Sequence, residues 1–183
     1  MSNYTAEEVE EIVKIAKENN YVLPSVYQGN YNAITRNNED KLFPLLRREK
    51  ISFYAYSPSA GGFFVQKLDV KPTSGSRWDP ETYIGKIYNG LYGKPSYYNA
   101  LERVSAVAEK YKLEKIEAAL RWVYFHSLLK PEHGDAVILG ASKLSQLESN
   151  LSYISKGPLP EEVVSVFEDI WKTIKPDAPA YHF

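Results

Sequence analysis

The hydrophobic positions of this chain follow two kinds of pattern, which alternate along it. Val9 and Val13 share one helical face with their apolar neighbours, and Thr5 with Glu8 has the form of a capping box. This pattern predicts a helix over residues 6–19. Similar spacings predict further helices beginning near Asn38, Ser96, residue 116 and residue 144, and a last amphipathic helix with Pro160 at its first position.

Three short apolar segments lie between these helices and predict buried strands at 21–29, 51–56 and 136–139. Residues 63–95 show no sustained periodicity and predict a long excursion after the second strand. Strands that alternate with helices, without hairpin signals, indicate a parallel sheet and an α/β fold. Three strands do not close a barrel, so the pattern is typical of an incomplete α/β architecture.

Length and composition then restrict the class of protein. The 183 residues are 44% hydrophobic, which suits one domain over residues 1–183. The net charge of -1 is scattered, which disfavours nucleic acid and anionic membranes as partners. The chain has no cysteine, which excludes disulfides, thiolate metal sites and a cysteine nucleophile. The acidic, amphipathic N-terminus is unlike a signal peptide, so we expect a soluble cytoplasmic protein.

Two segments that follow predicted strands have the composition of ligand-binding loops. Gly140-Ala141-Ser142 leads from a strand into a helix, whose free N–H groups and dipole suit a phosphate. An ordinary serine N-cap would give the same string. The small residues of 57–62 would let a ligand approach the backbone closely, although a plain turn has the same composition.

Three larger side chains near these loops have candidate roles. Tyr56 ends a strand and could stack on a flat ring or simply pack. Lys67 and Arg77 could neutralise a phosphate or be solvated surface residues. The three histidines stand at spacings that match no metal motif.

Three strings together resemble one family, namely VYQGNYNAITR at 26–36, FYAYSPSAGG at 53–62, and Gly140-Ala141-Ser142 with its continuation to Gln146 and Asn150. They resemble the aldo-keto reductases, most closely the aflatoxin-aldehyde reductase branch, over essentially the whole chain. The resemblance implies a (β/α)8 barrel, of which this chain is similar to the last three strands and their helices. It also implies reduction of aldehydes and ketones by direct hydride transfer from NADPH.

The resemblance assigns the nicotinamide to the first half of this chain. Ser2 and Asn3 look like the family's serine and asparagine that hold the carboxamide, and Gln28 matches a glutamine that binds the same amide. Tyr56 falls where the family places a residue against the nicotinamide face.

The resemblance assigns the phosphates and the adenosine to later residues. The serines and glycine of the 57–62 loop would cradle the pyrophosphate, although Ser59 replaces a leucine usual in the family. The positions implied on this side are Ser57, Ser59, Gly61, Lys67, Arg77, Gly140, Ser142, Gln146 and Asn150.

The family's acid-base residues, a tyrosine with its lysine, aspartate and histidine, lie on strands that precede the matching region. Nothing in this chain aligns with them, so we expect it to be inactive alone and to meet a small carbonyl substrate only if the missing half is supplied. The alternative is a non-catalytic nucleotide-binding or scaffold half-barrel that pairs with another chain or self-associates through exposed sheet edges.

Overall fold

The computed structural model describes residues 1–67, 72 and 74–182, and it shows an α/β fold around a small parallel sheet. The strands, in sheet order, are β1 (Val26–Asn30), β2 (Ser52–Tyr56) and β3 (Ala136–Val137). The helices are α1 (Ala6–Glu18), α2 (Leu42–Arg48), α3 (Tyr83–Tyr92), α4 (Pro95–Lys110), α5 (Lys115–Phe125), α6 (Leu144–Ser155) and α7 (Glu161–Ile174).

The two faces of the sheet have different surroundings. Tyr27, Phe53 and Ala55 are fully buried, and the Tyr27 and Phe53 rings stack at 5.6 Å between centroids. On the other face, Gln28 is paired in register with Tyr54, and both are at least partly exposed. Side chains alternate between faces along a strand, so one face carries the core and the other is open.

Helices α4, α5 and α7 complete the core beyond the sheet. Trp122 and Phe167 are fully buried, and the guanidinium of Arg36 lies 4.6 Å above the Trp122 ring. Arg36 also forms ion pairs with Glu39 and Glu168, both at 2.9 Å, which satisfies its charge inside the protein.

The predicted α/β class and the parallel strands are confirmed, and so is the capping box of α1. The first strand was expected at 21–29, and its predicted start is wrong, because β1 begins at Val26 and Val22 is 97% exposed. The segment contains Pro24, which has no N–H to donate to a ladder.

The predictions around β3 need a second correction. Only Ala136 and Val137 form the strand, and both are half-buried rather than buried. Within the described residues β3 pairs on one side only, with β2. The apolar face predicted for α6 also fails to reach the core, since Leu144 and Leu151 are exposed.

The excursion contains a helix that the pattern does not reveal. Thr82 caps α3 by accepting a bond from the Gly85 N–H, but Tyr83 and Ile84 of this helix face solvent. An apolar residue that is left exposed gives no amphipathic stripe to detect. The next helix begins at Pro95 with Lys94 as its N-cap, so the prediction that Ser96 caps it is wrong. Helix α7 begins at Glu161, and Pro160 is its N-cap rather than its first residue.

Candidate functional site

Because the strands are parallel, their carboxyl ends meet at one edge of the sheet, and a cavity of about 200 Å³ opens there. The loops that follow β2 and β3 form opposite walls of this cavity. Its lining residues are Tyr56, Ser57, Pro58, Ser59, Gly61, Arg77, Leu120, Ile138, Leu139, Gly140 and Asn150.

The cavity brings together most of the residues expected to hold the phosphates. The predicted residues that line it are Tyr56, Ser57, Ser59, Gly61, Arg77, Gly140 and Asn150. Sequence reasoning missed the apolar part of the lining, from Leu120, Ile138 and Leu139. Their apolar patterns predicted burial, and only the tertiary structure places them at the cavity.

The loop after β2, residues 57–62, has an unusual backbone. Ser57 and Ala60 have φ angles of 54° and 51°, and Gly61 and Gly62 have 66° and 86°. The left-handed region costs roughly 1–2 kcal/mol for a residue with a Cβ. A side chain on Gly61 would also collide with the Tyr88 ring, so this position requires glycine.

The residues expected at the nicotinamide lie at the neighbouring end of the sheet. Ser2 pairs with Gln28 in a parallel bridge, which places residues 1–3 beside β1. The Tyr56 hydroxyl donates a hydrogen bond of 3.0 Å to Asn3 Oδ1. Burial, reinforced by Tyr92 and Tyr88, raises the pKa of Tyr56. Asn3 therefore contacts the cavity-lining residue Tyr56, whereas Ser2, Asn3 and Gln28 do not line the cavity themselves.

The other wall is built from the residues around the start of α6. Gln146 Oε1 accepts hydrogen bonds of 3.0 Å from both the backbone N–H and the hydroxyl of Ser142. These two residues are exposed and lie outside the cavity lining, whereas Asn150, one turn later, belongs to it. The N-cap of α6 is Lys143 without a side-chain cap, so the alternative that Ser142 is a plain N-cap is wrong.

The charge around the cavity is positive. Arg77 is the one charged side chain among the described residues that line it, and its guanidinium lies 5.7 Å from the Tyr88 ring centroid. Lys67 is exposed and does not line the cavity. Burial, and then the charge of Lys67, lower the pKa of Lys115, whose ammonium group donates a hydrogen bond of 2.7 Å to the Gln66 oxygen.

Tyr56 is the one tyrosine among the described residues that line the cavity, and it brings a phenol hydroxyl group there. An acid catalyst works best with a pKa near the working pH, yet burial raises the pKa of Tyr56 away from neutrality. Burial also raises the pKa of Tyr92, behind the loop. No group of three His, Asp or Glu side chains in the described part of the chain could hold a metal ion.

A second, larger groove of about 620 Å³ lies beside β1 and α1. Its lining is mostly apolar and includes Ile12, Ile15, Val22 and Leu23. None of the predicted cofactor residues belongs to this lining, so we place no chemistry there. Across the described ranges, no helix combines the length and the apolar character that a membrane span needs.

Comparison with known proteins places these observations in one group. The model of the aldo/keto reductase family matches residues 1–172. The chain is 44% identical over 181 residues to the oxidoreductase sirO of Leptosphaeria maculans, covering 99% of this chain and 55% of that protein. It is 40% identical over 189 residues to the human aflatoxin B1 aldehyde reductase member 2, covering 99% and 52%. The chain thus spans about half the length of the curated relatives that it matches.

Proposed function

Because the chain belongs to the aldo/keto reductase family, we propose that it binds NADP(H) as the cofactor-binding portion of a reductase of aldehydes or ketones. The bound cofactor would supply a hydride to the carbonyl carbon. The observation that carries the proposal is the cavity in which the 57–62 loop faces Gly140. The chain's own residues bind and orient the cofactor.

The cavity suits a pyrophosphate. Ser57 and Ser59 offer hydroxyl groups, Gly140 leaves space open on its backbone, and Arg77 provides a positive charge. The volume of about 200 Å³ fits a fragment of a dinucleotide, so the nicotinamide and the adenosine would extend from it to either side.

The nicotinamide would lie towards Tyr56, at the end of β2. The bond from the Tyr56 hydroxyl to Asn3 fixes the phenol ring, which offers its face for stacking. Gln28 and Ser2, which are joined by the bridge beside β1, offer amide and hydroxyl groups at the same edge.

The adenosine would lie towards α6. Ser142, Gln146 and Asn150 follow one another along this helix and its approach, and they provide neutral donors for a 2′-phosphate. The described lining contains no carboxylate that would repel a 2′-phosphate, the group that NADP(H) has and NAD(H) lacks. This is the reason for proposing NADP(H) rather than NAD(H).

Chemical turnover would need residues that this chain does not supply. Because the chain covers only about half the length of its relatives, we propose that the acid-base residues come from a portion corresponding to the start of the relatives, and that the chain alone is inactive. A small carbonyl substrate would bind only where that portion completes the site. The cytoplasmic location stays a prediction.

Titration of the purified chain with NADPH and NADH tests the proposal. We expect micromolar binding of NADPH and weaker binding of NADH, without oxidation of NADPH when an aromatic aldehyde is added. Gln146→Ala should weaken the binding of NADPH about tenfold, because one or two hydrogen bonds are lost, and should leave the affinity for NADH nearly unchanged. Ser152→Ala, an exposed position on the same helix, is the matched control. Absence of NADPH binding at millimolar concentration would overturn the proposal.

A second candidate function is a non-catalytic scaffold that pairs with another chain. One observation favours it, namely apolar side chains that are exposed next to the two outer strands in sequence. They include Val22 and Leu23, which precede β1, and Leu144, which follows β3. Sedimentation of the same protein tests it. A dimer that binds no nucleotide would favour this function, and a monomer that binds NADPH would reject it.

A further inference from the structure

The 57–62 loop adopts a conformation that its own residues do not favour. Ser57 and Ala60 are in the left-handed region without being glycine. Such residues cost of order 1–3 kcal/mol each and persist only where their surroundings hold them. The internal hydrogen bonds of the loop, from Ala60 N–H to the Ser57 oxygen and from Gly62 N–H to the Ser59 oxygen, are those of tight turns.

Two buried side chains from outside the loop hold its carbonyl groups. Asn32 Nδ2 donates a hydrogen bond of 3.1 Å to the Ser57 oxygen. Trp78 Nε1 donates one of 3.0 Å to the Gly61 oxygen. Asn32 is fully buried and Trp78 nearly so, so both bonds lie on the protein side of the loop.

Asn32 is itself held in one orientation. Its Oδ1 accepts the Ile34 N–H at 3.0 Å, and its Nδ2 also donates to Asn30 Oδ1 at 3.2 Å. Its backbone exchanges hydrogen bonds with Thr35 in both directions. The amide therefore cannot rotate without breaking several buried hydrogen bonds.

The network continues behind Asn32 to the helix that covers the loop. Asn30 Nδ2 donates to the Tyr92 hydroxyl at 3.2 Å, and this hydroxyl also contacts Thr35 Oγ1 at 3.1 Å. Tyr92 lies on α3, as does Tyr88, whose ring packs against Gly61. Asn32 thus joins the end of β1, α3 and the loop in one buried assembly.

These bonds have an electrostatic consequence for an anion in the cavity. A carbonyl oxygen carries partial negative charge and would repel a phosphate if the peptide turned towards it. Donors on the protein side keep the Ser57 and Gly61 oxygens away from that position. A site whose charges are already oriented avoids reorganisation when the ligand binds.

We propose that Asn32 is a positioning residue for the cofactor pyrophosphate, with Trp78 in a parallel role. Asn32 contacts no ligand in this scheme, since it acts through the Ser57 carbonyl. The inference rests on the proposed binding of NADP(H) and adds the residue that prepares the loop for it.

The test compares Asn32→Ala with Asn38→Ala in the full chain. Asn38 is also buried, and its Nδ2 also donates a hydrogen bond of 3.1 Å to a backbone oxygen. That oxygen belongs to Asn30, which lies outside the loop. The probes are NADPH and adenosine 2′-monophosphate, which carries the 2′-phosphate and lacks the pyrophosphate. Calorimetry gives the dissociation constants, and thermal unfolding shows how much each variant is destabilised.

We expect Asn32→Ala to raise the dissociation constant of NADPH at least tenfold and that of adenosine 2′-monophosphate less than twofold. Asn38→Ala should change both by less than twofold despite a comparable drop in melting temperature. If Asn32→Ala does not fold, Trp78→Phe, which removes the donor to Gly61, should show the same selective loss.

The outcomes separate the two proposals. If the folded Asn32→Ala variant binds NADPH as tightly as the wild type does, the proposed role of Asn32 is overturned. An equal loss of affinity for both ligands would overturn it as well. In either case the proposed binding of NADP(H) by the wild type stands. Failure of the wild type to bind either ligand would overturn the proposed function and the role of Asn32 with it.

Discussion

The two walls of the cavity are held in place by different means. The 57–62 loop rests on buried side chains, with Asn32 and Trp78 as donors and Tyr88 packed against Gly61. Helix α6 has no buried residue, and polar contacts near its C-terminal end join it to α5. One wall is therefore fixed by packing, whereas the other can adjust to its ligand with little change in the core.

This difference suits the two parts of the proposed cofactor. The pyrophosphate is common to NADP(H) and NAD(H), so a fixed loop can bind this part of either cofactor without reorganisation. The 2′-phosphate distinguishes one cofactor from another, and exposed side chains such as Ser142 and Gln146 can be exchanged there at low cost to the fold.

The largest effect is expected where α6 joins α5. Arg121 pairs with buried Glu117 at 2.7 Å and donates to the carbonyl groups of Gly157 and Pro158 at 2.8 and 2.6 Å. Arg121→Met would leave Glu117 with only the partly exposed Lys156 and should cost about 3 kcal/mol in urea unfolding.

Lys172→Met is the control for this variant, because its partner Asp169 is half exposed, and it should change stability by less than about 0.5 kcal/mol. Hydrogen exchange should locate the loosening of the Arg121 variant in α6. An equal loosening of the 57–62 loop would show that the two walls are not independent.

A matched pair of glycine substitutions compares the walls directly. Gly61→Ala places a Cβ at a φ of 66° and against the Tyr88 ring, so we expect a loss of about 2 kcal/mol. An added Cβ on Gly140 meets nothing within 4 Å, so Gly140→Ala should change stability by less than about 0.5 kcal/mol. Urea unfolding measures both, and similar losses in the two variants would contradict the contrast.

The smallest expected effect is a pH dependence of stability, which arises at the segment that follows α6. His126 Nε2 accepts the Leu159 N–H at 2.9 Å, which requires a neutral ring. Burial, and then the charge of Arg121, lower the pKa of His126 below 6.5, although Glu168 acts in the opposite direction. The stabilisation is complete above pH 6.5 and is lost as the pH falls towards the folded pKa, since the unfolded chain binds the proton first.

The melting temperature should therefore fall more between pH 7.5 and pH 5.5 for the wild type than for His126→Gln. Glutamine keeps an oxygen acceptor for Leu159 and does not titrate. Identical pH profiles for the two proteins would show that this ring does not couple stability to pH.

The sequence predicted the parts of this molecule that rest on local rules. The Thr5 capping box and the amphipathic face around Val163 of α7 appear as predicted, because both depend on residues a few positions apart. The sequence missed α3, whose Tyr83 and Ile84 face solvent, and it predicted burial for Leu144 of α6, which is exposed. Burial depends on which other elements are present to cover a face.

For the candidate site, the sequence by itself determined the composition of the two loops, because glycine and serine permit close approach of a ligand wherever they lie. The resemblance supplied the remaining cofactor residues. Only the tertiary structure decided that Gly61 and Gly140 face one cavity, and that Asn32 and Trp78 reach the carbonyl groups behind it. The reason is physical, since Asn32 and Ser57 are 25 positions apart and meet only because β1 and β2 pair in parallel.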